Sequence, residues 1–173
     1  MPYTKNAAGH GPTWANSLFE DNAEYGLGMH LGTQACRKQI TDIMTGLIEE
    51  GQISAELKNA MEDWICHRDE GEGSRERADR LTDLLEKEKT GNETLEHLYE
   101  NKLYFVKRSQ WVFGGDGWAY DIGYGGVDHV LAMNRDVNIL VFDTVVYSNT
   151  GGQSSKSTPT AAVAKFAASG KRT

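Results

Sequence analysis

Two polar stretches hold the residues best suited to chemistry. Asp116 lies between Gly115 and Gly117, and Thr144 follows 28 positions after it. Asp116 offers a hard carboxylate oxygen of the kind that Mg²⁺ prefers, and the two glycines let the backbone approach an anion closely. A magnesium-bridged diphosphate suits this combination, although a single Gly-Asp-Gly sequence more often marks an ordinary turn.

The second stretch, residues 149–155, contains no apolar side chain. Lys156 and Ser157 follow it, and a helix is predicted to start near Pro159. The stretch comes directly after an apolar run that is typical of a strand. Two polar, glycine-bearing loops at one sheet edge favour a binding site over two unrelated turns.

A β-α-β unit is predicted to position both stretches. Residues 111–113 form a short apolar run, residues 121–133 have helical spacing, and residues 137–142 are a β-branched run typical of a buried parallel strand. Strands joined this way are parallel neighbours, which places oxygens of Asp116 and Thr144 roughly 5 Å apart at their carboxyl ends. Ligands of open α/β sheets bind outside those ends, where a helix starting just after Gly117 would add backbone N–H groups.

The chain before this unit is predicted to be helical. Residues 17–50 give a long helical region, bent or broken by glycines and ended at Gly51. Ser54 caps a second helix, and residues 74–89 and 91–103 predict a third and a fourth. A further helix is predicted over the alanine-rich residues 159–168.

The predicted fold class is therefore α/β, a partial Rossmann-like parallel sheet with a helical, acidic region before it. Residues 1–104 form the mainly helical part with an acidic insert, residues 105–173 form the β-α-β core, and both belong to one domain. A loop over residues 1–16 and the end at Thr173, where a further strand should follow, predict that the core is truncated.

Charge and hydropathy exclude several classes of protein. The 173 residues carry a net charge of −7, and residues 49–100 hold 16 acidic against 7 basic side chains. Nucleic acid is an unexpected partner for such a chain, and the acidic block is either a solvated face or a docking surface for a redox partner. No apolar run is long enough for a membrane helix and the first twenty residues lack the basic-then-apolar pattern of a signal peptide, so a cytoplasmic location is predicted.

The thiols and imidazoles do not form a metal site. Cys36 and Cys66 are the only cysteines, too few for an iron–sulfur cluster or a structural zinc site, and both are predicted to be buried. The five histidines lack ligand spacing, and His129 on the crossover helix is predicted to be a packing or surface residue.

The chain resembles the thiamine-diphosphate domain of pyruvate:ferredoxin (or flavodoxin) oxidoreductases. The resemblance is closest over residues 115–171, is present again near the start, and is weakest from about residue 68 to 100. The stretches that carry it are WAYDIGYGG at residues 118–126, YSNTGGQSSK at residues 147–156 and SLFEDNAEYG at residues 17–26.

The resemblance implies a thiamine diphosphate cofactor bound through Mg²⁺ and the oxidative decarboxylation of pyruvate. Electrons would pass through iron–sulfur clusters to ferredoxin or flavodoxin, and the acyl group to coenzyme A. The cluster cysteines and the glutamate that activates the cofactor would lie in other parts of a longer, homodimeric enzyme. The chain alone is then expected to be inactive.

The resemblance also assigns roles to individual residues. Asp116 would bind Mg²⁺ through its carboxylate, Thr144 through its hydroxyl and Val146 through its backbone carbonyl. Gly115 and Gly117 would admit the diphosphate.

Two further residues receive roles in the same way, and one position departs from the family. Asn149 would reach the reacting carbon of the cofactor or the substrate carboxylate, where an amide can stabilise negative charge. Thr150 would help to hold the diphosphate. Val145 stands where the family usually has an acidic residue, next to the carbonyl ligand.

The alternative interpretation is a nucleotide-phosphate-binding module or a non-catalytic interaction piece. A P-loop needs glycine immediately before the lysine, and Ser155 precedes Lys156 here. A dinucleotide fingerprint starting at Gly123 needs glycine where this chain has Asp128. Both phosphate-binding patterns therefore lack a required glycine.

Overall fold

The computed structural model of the protein describes residues 7, 9, 11, 21–148 and 150–172. The predictions made for residues 12–20, for Asn149 and for Thr173 fall outside these residues. The chain divides into two compact units. We call residues 28–110 the helical unit, and the described residues up to 27 together with those from 111 onward the sheet unit. The predicted grouping of residues 1–104 and 105–173 into one domain stays a prediction.

The helical unit follows the predicted order of helices. The glycines in the first helix do not interrupt it, because a continuous set of i to i−4 hydrogen bonds tolerates glycine at a modest cost in stability. This first helix also contributes its opening turns to the sheet unit. The helices are α1 (Asn22–Glu50), α2 (Ala55–His67), α3 (Ser74–Glu88) and α4 (Glu93–Glu100), followed by a 3₁₀ turn at Lys102–Tyr104.

Local capping defines where these helices begin and end. Gly51 closes α1 in the left-handed conformation at φ +69°, which glycine adopts without a Cβ penalty. The Ser54 hydroxyl accepts a hydrogen bond from the Leu57 amide at 3.1 Å, as its position before α2 predicts. Asn92 caps α4 in the same way, through its side-chain oxygen.

An apolar core and one buried arginine hold the helical unit together. The largest fully buried side chains there include Trp64, Phe105 and Met44. The Arg37 guanidinium donates hydrogen bonds to the carbonyls of Phe105 at 3.3 Å and Val106 at 3.2 Å, and it lies over the Trp64 ring. Burial lowers the pKa of Arg37 from its usual value, so these carbonyls compensate a desolvated charge.

The sheet unit contains the predicted parallel pair of strands. β1 (Trp111–Gly114) pairs with β2 (Asn138–Val141), with Trp111 opposite Asn138 and Gly114 opposite Val141. Val112 on one face belongs to the core of this unit, together with Trp118 and Val130. The β-α-β prediction is confirmed, and the chain is an α/β protein with a small parallel sheet.

The prediction that β2 is buried is wrong for one of its faces. Leu140 is 40% exposed and Phe142, just after the strand, is 57% exposed. Side chains alternate along a strand, so Ile139 and Val141 pack against the core while Leu140 and Phe142 face away from it.

The crossover contains two helices instead of the single one predicted over residues 121–133. They are α5 (Asp116–Tyr120) and α6 (Tyr124–Ala132). Asp121 leaves the helical conformation at φ −122° and ψ −110°, and the Gly123 amide donates to the Gly117 carbonyl at 3.1 Å. This break at Asp121 separates the two helices. The helix α5 itself starts at Asp116, with one residue between it and the end of β1.

The helix predicted over residues 159–168 is absent from the described chain. A short antiparallel pair, β3 (Val146–Tyr147) with β4 (Gln153–Ser154), comes first. The Ala161 amide then donates to the Lys171 carbonyl, and Ala161 and Phe166 have φ values of +70° and +64°. Main-chain bonds to distant residues override the helix propensity of alanine at this position.

The two thiols are less buried than predicted. Cys66 is exposed and Cys36 is only half-buried, so the prediction of two buried thiols is wrong. Cys66 lies on α2 away from the positions of Leu57, Met61 and Trp64, which face the core. No helix in the part of the chain that the structure describes is long and apolar enough to cross a membrane.

Candidate functional site

Asp116 and Thr144 meet where the two parallel strands end. Asp116 is 2% exposed and begins α5 directly after β1 and Gly115. Its Oδ1 atom accepts hydrogen bonds from the Thr144 amide at 2.9 Å and the Thr144 hydroxyl at 3.1 Å. The sequence prediction that these residues meet is confirmed, and the two side chains lie closer than the expected 5 Å because they bond directly.

Val146 brings a third oxygen to the same place. The Thr144 hydroxyl lies 2.9 Å from the Val146 carbonyl oxygen, at the start of β3. Asp116 Oδ1, Thr144 Oγ1 and Val146 O thus form a continuous set, which we call the oxygen trio. The trio combines one carboxylate, one hydroxyl and one carbonyl, all hard donors of the type that magnesium prefers.

The other oxygen of the carboxylate is held by two serines. Asp116 Oδ2 accepts from the Ser155 hydroxyl at 2.9 Å and also from the Ser157 hydroxyl. The Ser155 side chain is buried, with 4% of the residue exposed. Sequence reasoning placed both serines in a polar loop without giving them a role. The signal that could have found them is the density of hydroxyl side chains directly after a strand.

The hydrogen bonds to Asp116 keep its carboxylate ionised. Burial by itself would raise the pKa of Asp116. Hydrogen bonds from the Ser157 hydroxyl, the Thr144 amide and the Ser155 hydroxyl more than offset this effect and bring the pKa below its ordinary value. A carboxylate that accepts several hydrogen bonds is stabilised in its charged form. The site therefore holds a fixed negative charge at neutral pH.

Residues 155–158 form a compact segment that we call the hydroxyl turn. The Ser155 amide donates to the Thr158 hydroxyl at 2.8 Å, and that hydroxyl donates in turn to the Val145 carbonyl. The Lys171 ammonium group donates to the carbonyls of Ser155, Lys156 and Thr158 at 2.8, 2.9 and 2.8 Å. One cation thus ties the chain end to the turn that holds Asp116.

The glycines next to Asp116 differ in what surrounds them. A Cβ at Gly115 would meet only the Phe142 carbonyl oxygen, at 3.9 Å, so packing within the protein does not require glycine there. A Cβ at Gly114 would overlap the Trp118 ring at 2.2 Å. Gly117 is buried within α5. Gly114 is therefore needed for packing, whereas Gly115 leaves open space beside the carboxylate.

Comparison with known proteins gives close matches along the whole chain. It is 68% identical over all 173 residues to pyruvate-flavodoxin oxidoreductase of Klebsiella pneumoniae. It is 51% identical over 99% of its length to pyruvate:ferredoxin oxidoreductase of Moorella thermoacetica, and 45% identical over 99% to a mitochondrial pyruvate dehydrogenase [NADP(+)] of Euglena gracilis. Along its whole length the chain is therefore closely similar to one segment of pyruvate:ferredoxin (flavodoxin) oxidoreductases. These relatives are oxidoreductase enzymes.

The match covers only part of each relative. The chain spans about 15% of the length of the Klebsiella and Moorella proteins and about 10% of the Euglena protein. No protein-family model matches the chain.

Of the two remaining residues that the family resemblance singles out, the structure describes Thr150. The Thr150 hydroxyl donates to the Gln153 side-chain oxygen at 2.6 Å, and the Gln153 amide group donates back to the Thr150 carbonyl. The structure therefore places Thr150 in a local turn with Gln153. Asn149 lies outside the described residues. The roles assigned to both residues stay predictions.

Val145, the departure from the family pattern, has an unusual backbone conformation. Its φ is +58°, a region that a β-branched residue rarely adopts. Its amide donates to the Asp143 carboxylate at 3.1 Å, and its carbonyl accepts from Thr158. These contacts hold a strained residue between two members of the oxygen trio, Thr144 and Val146.

Asp121 is a second carboxylate that sequence reasoning did not single out. It accepts from the Tyr147 hydroxyl at 2.5 Å and from the Lys156 amide at 3.1 Å. It thereby ties the link between α5 and α6 to β3 and to the hydroxyl turn. Among the described residues, no group of three or more histidine, cysteine, aspartate or glutamate side chains could hold a metal ion. A metal at the oxygen trio would therefore rely on mixed oxygen donors, of which the Asp116 carboxylate is one.

Proposed function

We propose that this chain supplies the magnesium and diphosphate half of a thiamine diphosphate site in a Rossmann-like domain. The longer enzyme that contains this domain would catalyse the oxidative decarboxylation of pyruvate to acetyl-CoA. Asp116, Thr144 and Val146 would hold Mg²⁺, as the resemblance implies. The relatives are named for pyruvate, which supports the substrate class.

The spacing of the oxygen trio carries this proposal. Octahedral Mg²⁺ binds oxygen at 2.0–2.1 Å, so neighbouring ligands lie roughly 2.9 Å apart. Asp116 Oδ1 and Thr144 Oγ1 are 3.1 Å apart, and Thr144 Oγ1 and Val146 O are 2.9 Å apart. The donors could therefore accept a magnesium ion with little movement. A single carboxylate also suits Mg²⁺, which shares its other positions with water and phosphate oxygens.

The residues around the trio have separate tasks in this proposal. The ionised Asp116 would provide the countercharge that attracts the cation, and the open space at Gly115 would let a diphosphate approach. Gly117 and Thr150 would contact the diphosphate, and Asn149 would donate a hydrogen bond near the reacting carbon. When bound, thiamine diphosphate supplies the electron sink that decarboxylation of a 2-oxo acid requires.

The proposal extends to the partners of the longer enzyme. Coenzyme A would accept the acyl group, and iron–sulfur clusters with ligands elsewhere in the polypeptide would pass electrons to ferredoxin or flavodoxin. A homodimer, a cytoplasmic location and the absence of a nucleic-acid partner stay predictions from the sequence. The 173-residue chain by itself should bind the cofactor weakly and lack activity, because the resemblance assigns the activating glutamate to another domain.

A chimera provides the test in a complete enzyme. In this chimera, the present chain replaces the matching 173 residues of the Klebsiella relative, with which it is 68% identical. Calorimetric titration with thiamine diphosphate and Mg²⁺ should give binding that Asp116→Ala abolishes. Asp128→Ala, which removes an exposed carboxylate on α6, is the matched control and should bind normally.

Two results would contradict the proposal. Cofactor affinity unchanged in Asp116→Ala would remove the central ligand assignment. Binding of ATP with Mg²⁺ in place of thiamine diphosphate would favour the nucleotide-phosphate alternative.

A further inference from the structure

We propose that Ser155 and Ser157 are positioning residues that restrict Asp116 to one-oxygen metal ligation. In this way they make the site select Mg²⁺ over the larger Ca²⁺. The inference rests on the proposed function, since it concerns the metal that bridges the diphosphate.

The two oxygens of Asp116 have different surroundings. Oδ1 faces the oxygen trio and bonds to Thr144 at 2.9 and 3.1 Å. Oδ2 accepts from Ser155 at 2.9 Å and from Ser157, and the two serine oxygens lie 2.9 Å from each other. Both Asp116 and Ser155 are buried, at 2% and 4% exposure. Oδ2 is therefore held by two serine hydroxyls of the hydroxyl turn, whereas Oδ1 bonds to Thr144 and belongs to the trio.

This division of the carboxylate matters because the two cations use carboxylates differently. Mg²⁺ requires near-ideal octahedral geometry at 2.0–2.1 Å, whereas Ca²⁺ takes six to eight oxygens at 2.3–2.6 Å and often binds both oxygens of one carboxylate. Turning Asp116 to present both oxygens would remove the acceptor of the Ser155 and Ser157 hydroxyls. Taking the carboxylate acceptor away from the buried Ser155 hydroxyl and the part-buried Ser157 hydroxyl is unfavourable, so two-oxygen ligation is opposed.

The serines can hold Asp116 only if the hydroxyl turn itself is fixed. The Ser155 amide bonds to the Thr158 hydroxyl at 2.8 Å within the turn. The Lys171 ammonium group bonds to the carbonyls of Ser155, Lys156 and Thr158 within 2.9 Å. Lys171 is therefore a third positioning residue, which acts on the metal site through the turn and the serines.

The experiment compares two cations in the chimera. Thiamine diphosphate affinity is measured by calorimetry with Mg²⁺ and with Ca²⁺, and the ratio of the two affinities is the readout. The variants are Ser155→Ala, Ser157→Ala, the double variant, and Ser157→Thr, which keeps a hydroxyl. Thr160→Ala, which alters an exposed residue just after the hydroxyl turn, is the control. Lys171→Met is compared with Lys171→Arg, which keeps the positive charge.

The double alanine variant should lower the magnesium-to-calcium ratio by about 10-fold to 100-fold, the usual effect of losing partners that orient a metal ligand. Ser157→Thr should retain most of the preference, and Thr160→Ala all of it. Lys171→Met should lower the ratio more than Lys171→Arg.

The outcomes separate this inference from the proposed function. Equal losses of affinity with both cations, and hence an unchanged ratio, would make the serines merely structural and overturn the inference while leaving the cofactor assignment intact. A chimera without substitutions that shows no magnesium-dependent cofactor binding would overturn the proposed function and this inference with it.

Discussion

Gly114 connects the packing of the sheet unit to the position of its candidate site. It ends β1, two residues before Asp116, and lies against the ring of Trp118. A methyl group added by Gly114→Ala would lie 2.2 Å from Cε3 and 2.4 Å from Cδ2 of that ring. Carbon atoms in favourable contact are roughly 3.5–4.0 Å apart, so the ring would have to move by more than about 1 Å.

The ring has little freedom to make this movement. Trp118 is fully buried and shares the core of the sheet unit with Val112 and Val127. Inserting a methyl group into a packed core costs about 1–3 kcal/mol, and we expect Gly114→Ala to lower the free energy of unfolding by about 3 kcal/mol. Because Trp118 and Asp116 lie on the same short helix, the carboxylate should be displaced as well.

Urea unfolding of the chain, followed by tryptophan fluorescence and circular dichroism, measures this effect. Gly125→Ala is the matched control, since a Cβ at this exposed position on α6 meets no atom within 4 Å. The control should be neutral or more stable by up to about 1 kcal/mol, as expected for glycine to alanine in a helix. Adding Trp118→Leu to Gly114→Ala should cost less than the sum of the single changes. Equal stability of Gly114→Ala and Gly125→Ala would refute this account.

Three further changes test other parts of the site. Val145→Asn should raise the free energy of unfolding by about 1 kcal/mol, because asparagine tolerates the φ of +58° better than valine; a loss of stability in urea would contradict the strain argument. The pKa of Asp116 is lower in the folded protein than in the unfolded chain, where it is about 3.9. The ionised carboxylate therefore stabilises the fold fully above this unfolded pKa, and the stabilisation is lost as pH falls through the folded pKa. Asp116→Asn should therefore destabilise the chain more at pH 7 than at pH 3, and a pH-independent difference in urea unfolding would argue against the assignment. Asn149→Ala in the chimera should lower turnover about 100-fold with cofactor affinity nearly unchanged, whereas equal losses of both would make it a structural residue.

The meeting of Asp116 and Thr144 could be predicted because it follows from local rules. An apolar run that stops at glycines, a crossover with helical spacing and a β-branched run together define two parallel neighbours. Residues just past the ends of such strands must then lie close together. The contact of 3.1 Å, shorter than the predicted 5 Å, arises from direct hydrogen bonds that strand spacing alone does not contain.

The hydroxyl turn could not be predicted because it depends on residues far apart in sequence. Ser155 bonds to Asp116 across 39 positions, and Lys171 fixes the turn from beyond the alanine-rich segment. Local propensity predicts a helix over residues 159–168, but the pairing of Ala161 with Lys171 decides the backbone there. The exposed face of β2, with Leu140, was likewise missed because periodicity shows which residues are apolar and not what covers them.

The position of the metal is the central claim, and anomalous scattering tests it most directly. A crystal structure of the chimera with thiamine diphosphate and Mn²⁺ in place of Mg²⁺ locates the cation without reference to its ligands. We predict one peak about 2 Å from each of Asp116 Oδ1, Thr144 Oγ1 and Val146 O, with Asp116 Oδ2 still bonded to the two serines. A peak coordinated by other residues, or a cofactor bound with no cation at the oxygen trio, would contradict the account.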